Sequence, residues 1–266
     1  MSNQAKDQIR QTVRNRYKEI ALQGANQSSC CSSSNSCGGS SDFNEVSSQL
    51  GYSNQELSSV PEGANLGLGC GNPQAIADLK QGEVVLDLGS GGGFDCFLAA
   101  RQVADTGTVI GVDMTPEMIS RARSNAEKGV FTNTEFRLGE IEYLPVADNS
   151  VDVIISNCVI NLSPDKPQVF REAYRVLKSG GRIAVSDIVT TTELPVEIRN
   201  NMDEFYASCV SGASLIKDLE LMLKQSGFVQ ISIEPKDESR EFIKDWVEGS
   251  NIEDYIVSAV IKAVKP

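Results

Sequence analysis

The stretch that decides the fold is Asp87-Leu88-Gly89-Ser90-Gly91-Gly92-Gly93-Phe94, which joins the apolar run Val84-Val85-Leu86 to the helical run Phe94–Ala104. Glycines at 89, 91 and 93 let the backbone approach a ligand closely and allow positive φ where a turn needs it. Because the loop opens a helix, its N–H groups are expected to face the crevice at the strand carboxyl ends. A dinucleotide fingerprint, G-x-G-x-x-G/A, fails here, because counting from Gly89 its last position is Phe94. Working outward, the pattern alternates. TVIGVD (108–113), TEFRLGE (134–140), VDVIISN (151–157) and RIAVSDI (182–188) read as strands. PQAIADLK (73–80), PEMISRARSNAEK (116–128) and DKPQVFREAYRVLK (165–178) read as helices. Strands this apolar, alternating with helices, predict a doubly wound parallel α/β sheet covered on both faces.

The D-x-G-x-G-x-G arrangement resembles the first motif of S-adenosylmethionine-dependent methyltransferases of the Rossmann-like class. The resemblance implies a loop, with Asp87, Gly89, Gly91 and Gly93, that holds the methionine part of S-adenosylmethionine. Asp113 ends the next strand, where a carboxylate can accept from both ribose hydroxyls. Met114 is then placed against the adenine, and Glu140 and the Ile141 N–H against its ring edge. Asn157 is assigned to the cofactor site at the end of the fourth strand. The bland alternative is a glycine-rich turn in an unrelated α/β protein.

Composition narrows the chemistry. The chain has 266 residues, a formal charge of −12 and no histidine. Triads, Cys-His dyads and histidine-bound metals are excluded. The acidic balance argues against nucleic acid or an anionic membrane as partner. No run is long and apolar enough to span a bilayer, and the charged N-terminal stretch lacks the apolar core of a secretory signal. A cytoplasmic protein with reduced thiols is therefore expected. The seven cysteines are at 30, 31, 37, 70, 96, 158 and 209. Residues 1–60 read as an N-terminal helix and a flexible Cys/Ser-rich linker (SSCCSSSNSCGGSS, 28–41). Residues 61–190 read as the cofactor-binding domain. Residues 191–266 read as a C-terminal extension that contributes to the substrate site and completes the sheet.

Cys158 follows the fourth strand and is placed at the mouth of the crevice. Cys96 lies on an apolar helix and reads as packing. Cys70 is flanked by Gly69 and Gly71, which suggests a tight turn exposing the thiol. Cys209 ends a helical run before Ser211-Gly212. For Cys30, Cys31 and Cys37 three readings stay open: zinc ligands with Cys70, a mobile thiol trap or redox pair, and incidental tail cysteines.

Asn157-Cys158-Val159-Ile160-Asn161-Leu162 with Pro164-Asp165-Lys166 is similar to the signature of arsenite S-adenosylmethionine methyltransferases. Gly71 and its neighbours, Asp87–Cys96, Gly111–Thr115 and Glu193-Leu194-Pro195 extend the likeness over about residues 60–230. The acidic, histidine-free chain resembles the prokaryotic form. The resemblance implies that Cys70, Cys158 and Cys209 bind trivalent arsenic. It also implies that an N-terminal cysteine (Cys30, Cys31 or Cys37) exchanges disulfides between turnovers. The partners implied are arsenite or its thiol conjugates and a small-thiol or thioredoxin-type reductant. The chemistry agrees: arsenic(III) is soft, as thiolates prefer, and its lone pair attacks an electrophilic methyl without a general base. Two alternatives are kept, a methyltransferase of a small organic acceptor and a non-catalytic metalloid-binding or redox-sensing protein.

Overall fold

The structure, a computed structural model, describes residues 2–23, 40–194, 210, 212–244, 246 and 251–266. Its centre is an eight-stranded sheet: β1 (Val84–Leu88), β2 (Thr108–Asp113), β3 (Thr134–Leu138), β4 (Val151–Asn157), β5 (Leu177–Thr190), β6 (Ser214–Leu215), β7 (Val229–Lys236) and β8 (Ile256–Val264). The order is β3-β2-β1-β4-β5-β8-β7, with β6 on the end of β5. The five strands β3 to β5 run parallel, and β8 is antiparallel to both β5 and β7. Strand order reverses between β1 and β4, so a crevice opens beyond their carboxyl ends.

Side chains alternate across the sheet. Val85, Val109, Val153 and Ile155 pack on one face with α5 (Phe94–Val103) and α6 (Pro116–Gly129). Leu86, Leu88, Ile110 and Ile154 pack on the other with α7 (Lys166–Val176) and the helix Ile216–Gln225. Burial on both faces is why these strands read as continuous apolar runs. The helices start where local chemistry allows. Asp165 accepts from the Gln168 N–H and caps α7, and Pro116 occupies the first turn of α6. Val169, Phe170, Ala173 and Val176 then form the buried stripe of α7.

Ahead of the sheet lie α1 (Asn3–Gln23), α2 (Ser40–Gln49), α3 (Asn54–Ser58) and the short α4 (Gln74–Ala77). α1 docks by two faces. Val13 and Ala21 are buried, while Leu22 is 49% exposed. Lys6, Arg10, Arg14 and Lys18, spaced four apart, pair with Asp165, Glu140/Glu142, Glu140 and Glu117. Only Arg10–Glu142 is well buried. Exposed pairs contribute little, so that contact and the apolar face carry the docking.

The antiparallel edge is pinned by the penultimate residue. Lys265 Nζ donates to Asn149 Oδ1 and to the Tyr174 and Leu177 carbonyls, each at 2.7 Å, and lies 4.6 Å from the Tyr174 ring centroid. Lys265→Met is expected to leave these acceptors unmet and to cost about 2–3 kcal/mol in denaturant unfolding. An unchanged midpoint would show that water replaces the ammonium freely.

Candidate active site

A cavity of about 1110 Å³, its open mouth included, lies beyond the ends of β1, β2 and β4. Asp87, Gly89, Ser90, Gly91, Gly92, Asp113, Met114, Ile141, Asn157 and Cys158 all line it. Gly91 has φ +50° and open space where a side chain would begin. Ser90 Oγ is buried with no hydrogen-bond partner among the described residues. An orphaned hydroxyl beside a side-chain-free cradle is what a polar ligand would complete.

The loop N–H groups, expected to face the crevice, are largely committed. Those of Gly89 and Ser90 donate to the Val112 carbonyl, and that of Gly91 to Asp113 Oδ2 at 3.0 Å. Asp113 Oδ1 accepts from the Thr115 N–H at 2.8 Å. The loop is therefore no nest for an anion. Its electrostatics come instead from Asp87, Asp95 and Asp113, all with pKa values raised chiefly by burial. Asp87 is raised further by the charge of Asp95, which is itself pushed up to about 6. Such a wall favours a cationic ligand, which repays the cost of ionising it. Affinity for S-adenosylmethionine is thus expected to fall as pH drops through about 6, by up to about tenfold per unit as Asp95 takes a proton. Calorimetry between about pH 5 and 8 checks this; a flat profile would show that Asp95 keeps one charge state throughout.

The thiol site adjoins this cavity. Cys70 Sγ, Cys158 Sγ and a carboxylate oxygen of Asp187 lie within 4.8 Å of one another, all buried. The glycines beside Cys70 do not expose it, as their positions had suggested; it is 1% exposed. A Cβ on Gly69 would meet the Asn157 amide, and one on Gly71 would meet Ser186. The glycines therefore let the loop press the thiol inward. Asn157 Oδ1 accepts from the Cys70 N–H at 3.0 Å, and Asn157 Nδ2 donates to the Gly71 carbonyl at 2.8 Å. Ser258 Oγ, from β8, donates to the Cys70 carbonyl at 2.8 Å. Cys158 has φ +59°, and its N–H donates to the Ser186 carbonyl at 2.8 Å. A non-glycine residue held in the left-handed region at a site is strain that the surroundings maintain. The walls are apolar: Val13, Leu162, Ile188, Leu194 and Val210, with Tyr17, Phe242 and Trp246 packed against them.

The comparisons with known proteins fit this geometry. Residues 79–230 match the methyltransferase domain family. An arsenite methyltransferase of Halobacterium salinarum is 52% identical over 98% of this chain and 67% of its own length. One from Aquipseudomonas alcaligenes is 39% identical over 83% of this chain and 62% of its own length. The chain belongs to the arsenite methyltransferase family. A human family member is 43% identical over 54% of this chain, which spans only 40% of that protein. A crystal structure of an arsenic(III) S-adenosylmethionine methyltransferase from Chlamydomonas reinhardtii superposes with a TM-score of 0.62 at 32% identity, over 83% of this chain and 73% of that one. The fold is thus the Rossmann-like methyltransferase fold expected from the sequence, and S-adenosylmethionine is the cofactor of the class.

Within this methyltransferase two of the cofactor residues expected from the sequence lie off the cavity wall. Glu140 gives its carboxylate oxygens to Arg10 and Arg14, each at 3.3 Å, and the wall carboxylate there is Glu142. Gly93 opens α5 with φ +93°, and Phe97 and Phe136 fill the space a Cβ would need. Cys96 packs as expected, its Sγ donating to Asp87 Oδ2 at 3.2 Å. Cys30, Cys31, Cys37 and Cys209 lie outside the described residues.

Four residues at the site escaped the sequence reading. Tyr52 Oη donates to Asp95 Oδ1 at 2.7 Å, and Asn157 Nδ2 reaches Asp95 Oδ2 at 3.3 Å. Asn157 therefore links the cofactor wall to the Cys70 loop. Asp187 near the end of β5 had a usable signal, since it is a carboxylate at a parallel-strand terminus. Arg10 had one too, in the four-residue spacing of cations along α1. No described helix is long and apolar enough to cross a membrane.

Proposed function

We infer that the protein transfers a methyl group from S-adenosylmethionine to arsenic(III) held by its thiolates, a reaction of arsenic detoxification. The observation that carries this is that Cys158, on the wall of the cofactor cavity, meets a second buried cysteine, Cys70, in a chain without histidine. When bound, S-adenosylmethionine supplies an electrophilic methyl carbon on a cationic sulfonium. Asp113 is suited to the ribose hydroxyls, Met114 and Ile141 to the adenine, and Asp87, Ser90 and Gly91 to the amino-acid end. Arsenite exchanges hydroxide for each thiol it binds, releasing one water per sulfur. Its lone pair remains, so the chain need only position it, and Asn157 and Ser258 do this by fixing the Cys70 loop. The apolar walls exclude water, which favours a step in which sulfonium charge is lost.

Cys209 is proposed as the third sulfur; its neighbour Val210 packs in the same cluster as Cys70 and Cys158. X-ray absorption of the arsenite complex is expected to show three sulfurs, falling to two in Cys209→Ser. Mass spectrometry of the products formed from arsenite and S-adenosylmethionine tests the activity itself; absence of a methylated arsenical overturns it.

Methylation formally oxidises arsenic by two electrons, which a thiol pair returns on forming a disulfide. Cys30, Cys31 and Cys37 are proposed for this step, with a small thiol or a thioredoxin-type protein as reductant. The variant carrying Cys30→Ser, Cys31→Ser and Cys37→Ser is expected to lose multiple turnover but keep a single methylation of a pre-loaded arsenical. Deleting the N-terminal region would confuse this test, because Arg10, Val13 and Tyr17 of α1 line the cofactor cavity. Loss of the single turnover would place these thiols on the arsenic itself.

A further inference from the structure

We propose that Cys70, Cys158 and Asp187 also form a binding site for a soft divalent cation of the zinc–cadmium class, which competes with arsenite for the enzyme. The competition, but not the cation binding, rests on the thiol pair being the arsenic site.

The donor set points to this. Arsenic(III) is satisfied by sulfur, and a carboxylate is a hard ligand that it does not need. Two sulfurs and a carboxylate oxygen, with a fourth position left for water or another donor, suit a d¹⁰ divalent cation. Tetrahedral binding at about 2.3 Å to sulfur places the two sulfurs roughly 3.8 Å apart. The three donor atoms already lie within 4.8 Å of one another, so only a small contraction is required.

The carboxylate is also held as ligating carboxylates are. Asp187 Oδ1 accepts from Asn161 Nδ2 at 2.9 Å and from the Ile188 N–H at 2.8 Å. Oδ2 accepts a longer bond, 3.3 Å from the Asn161 N–H, and the Ile160 N–H also bonds to this carboxylate. Oδ1 thus carries two short bonds from the protein, and the carboxylate is oriented by several donors at once. Outer contacts of this kind fix a metal ligand's direction. Ser186, the residue before, turns its carbonyl to both cysteines, accepting from the Cys158 N–H at 2.8 Å and lying 3.6 Å from Cys70 Sγ. The end of β5 therefore sets all three donors together.

Charge leads the same way. Binding is M²⁺ + 2 Cys–SH + Asp–COO⁻ → M(S)₂(OOC)⁻ + 2 H⁺. The net charge of the buried site is unchanged, no electron moves, and the two thiol protons leave to solvent. The cation bonds directly to the carboxylate, so its buried charge gains a partner, which an arsenic held by sulfur alone does not provide.

Cadmium chloride is the probe, titrated into the reduced, full-length Cys30→Ser/Cys31→Ser/Cys37→Ser protein to remove competing thiols. One tight equivalent with cadmium–thiolate absorption in the ultraviolet is expected, displaced by arsenite. Cadmium-edge X-ray absorption should show two or three sulfurs plus oxygen. Asp187→Asn should weaken cadmium at least about tenfold and remove an oxygen from the shell, while the arsenic–sulfur shell of the arsenite complex persists. Cys158→Ser should lose both ligands. A sulfur-only cadmium shell in the parent protein, or equal cadmium affinity in Asp187→Asn, overturns the site; the first needs no variant to fold. Cadmium bound as expected but not displaced by arsenite overturns the competition. Failure of arsenite to reach these thiols, with cadmium still bound through Asp187, would instead count against the activity proposed above and leave the cation site standing.

Discussion

Cys158→Ser is expected to lower arsenite methylation by at least about 10³-fold, roughly 4 kcal/mol of transition-state stabilisation. Serine is nearly isosteric, so the buried pocket and the N–H bond to the Ser186 carbonyl should survive. What is lost is the soft donor: an alcohol stays protonated and binds arsenic(III) poorly. Because Cys158 also lines the cofactor cavity, S-adenosylmethionine affinity is the necessary control and is expected to change little. Single-turnover mass spectrometry with calorimetry separates the two quantities. Near-normal turnover would remove Cys158 from the reaction, and a parallel loss of cofactor affinity would reassign it to the pocket wall.

The second large effect is expected at Asp113. Asp113→Ala should weaken S-adenosylmethionine by about 2–4 kcal/mol, the value of paired charge-assisted hydrogen bonds. Two causes combine in that figure. The carboxylate is proposed to meet the ribose, and it holds the Gly91 and Thr115 N–H groups, tying the glycine loop to the start of α6. Asp113→Asn keeps one acceptor oxygen and removes the charge, so it should fall between wild type and Asp113→Ala. Equal affinity for all three would show that the ligand does not touch this position.

Much of the framework is legible in the residues themselves. The Val84–Leu88 strand, the glycine loop and the carboxylate at the end of β2 announce themselves locally, through apolar runs, turn-permissive glycines and a strand-end acid. α7 is equally plain, with a capping Asp165, a proline in its first turn and a regular buried stripe. The surroundings of Cys70 are not legible in the sequence for a physical reason. Glycine permits a tight turn and a close approach alike, and only the neighbours, Asn157 and Ser186, show that approach is its use here. Glu140 illustrates the reverse: a strand-end acid suits a ligand, but two arginines of α1 claim it first.

The sequence by itself determined the sheet, its two apolar faces, the glycine loop and a chemistry without histidine. Each of these is set by short-range period, backbone permissiveness or the mere presence of a residue type. The tertiary structure alone decided that Cys70, Cys158 and Asp187 meet, that Asn157 joins their loop to Asp95, and that α1 walls the cavity. Those facts depend on how the ends of β4, β5 and β8 register in one sheet and on which partners bury first. No local spacing encodes such distances, because residues far apart in the chain are brought within bonding reach only by packing.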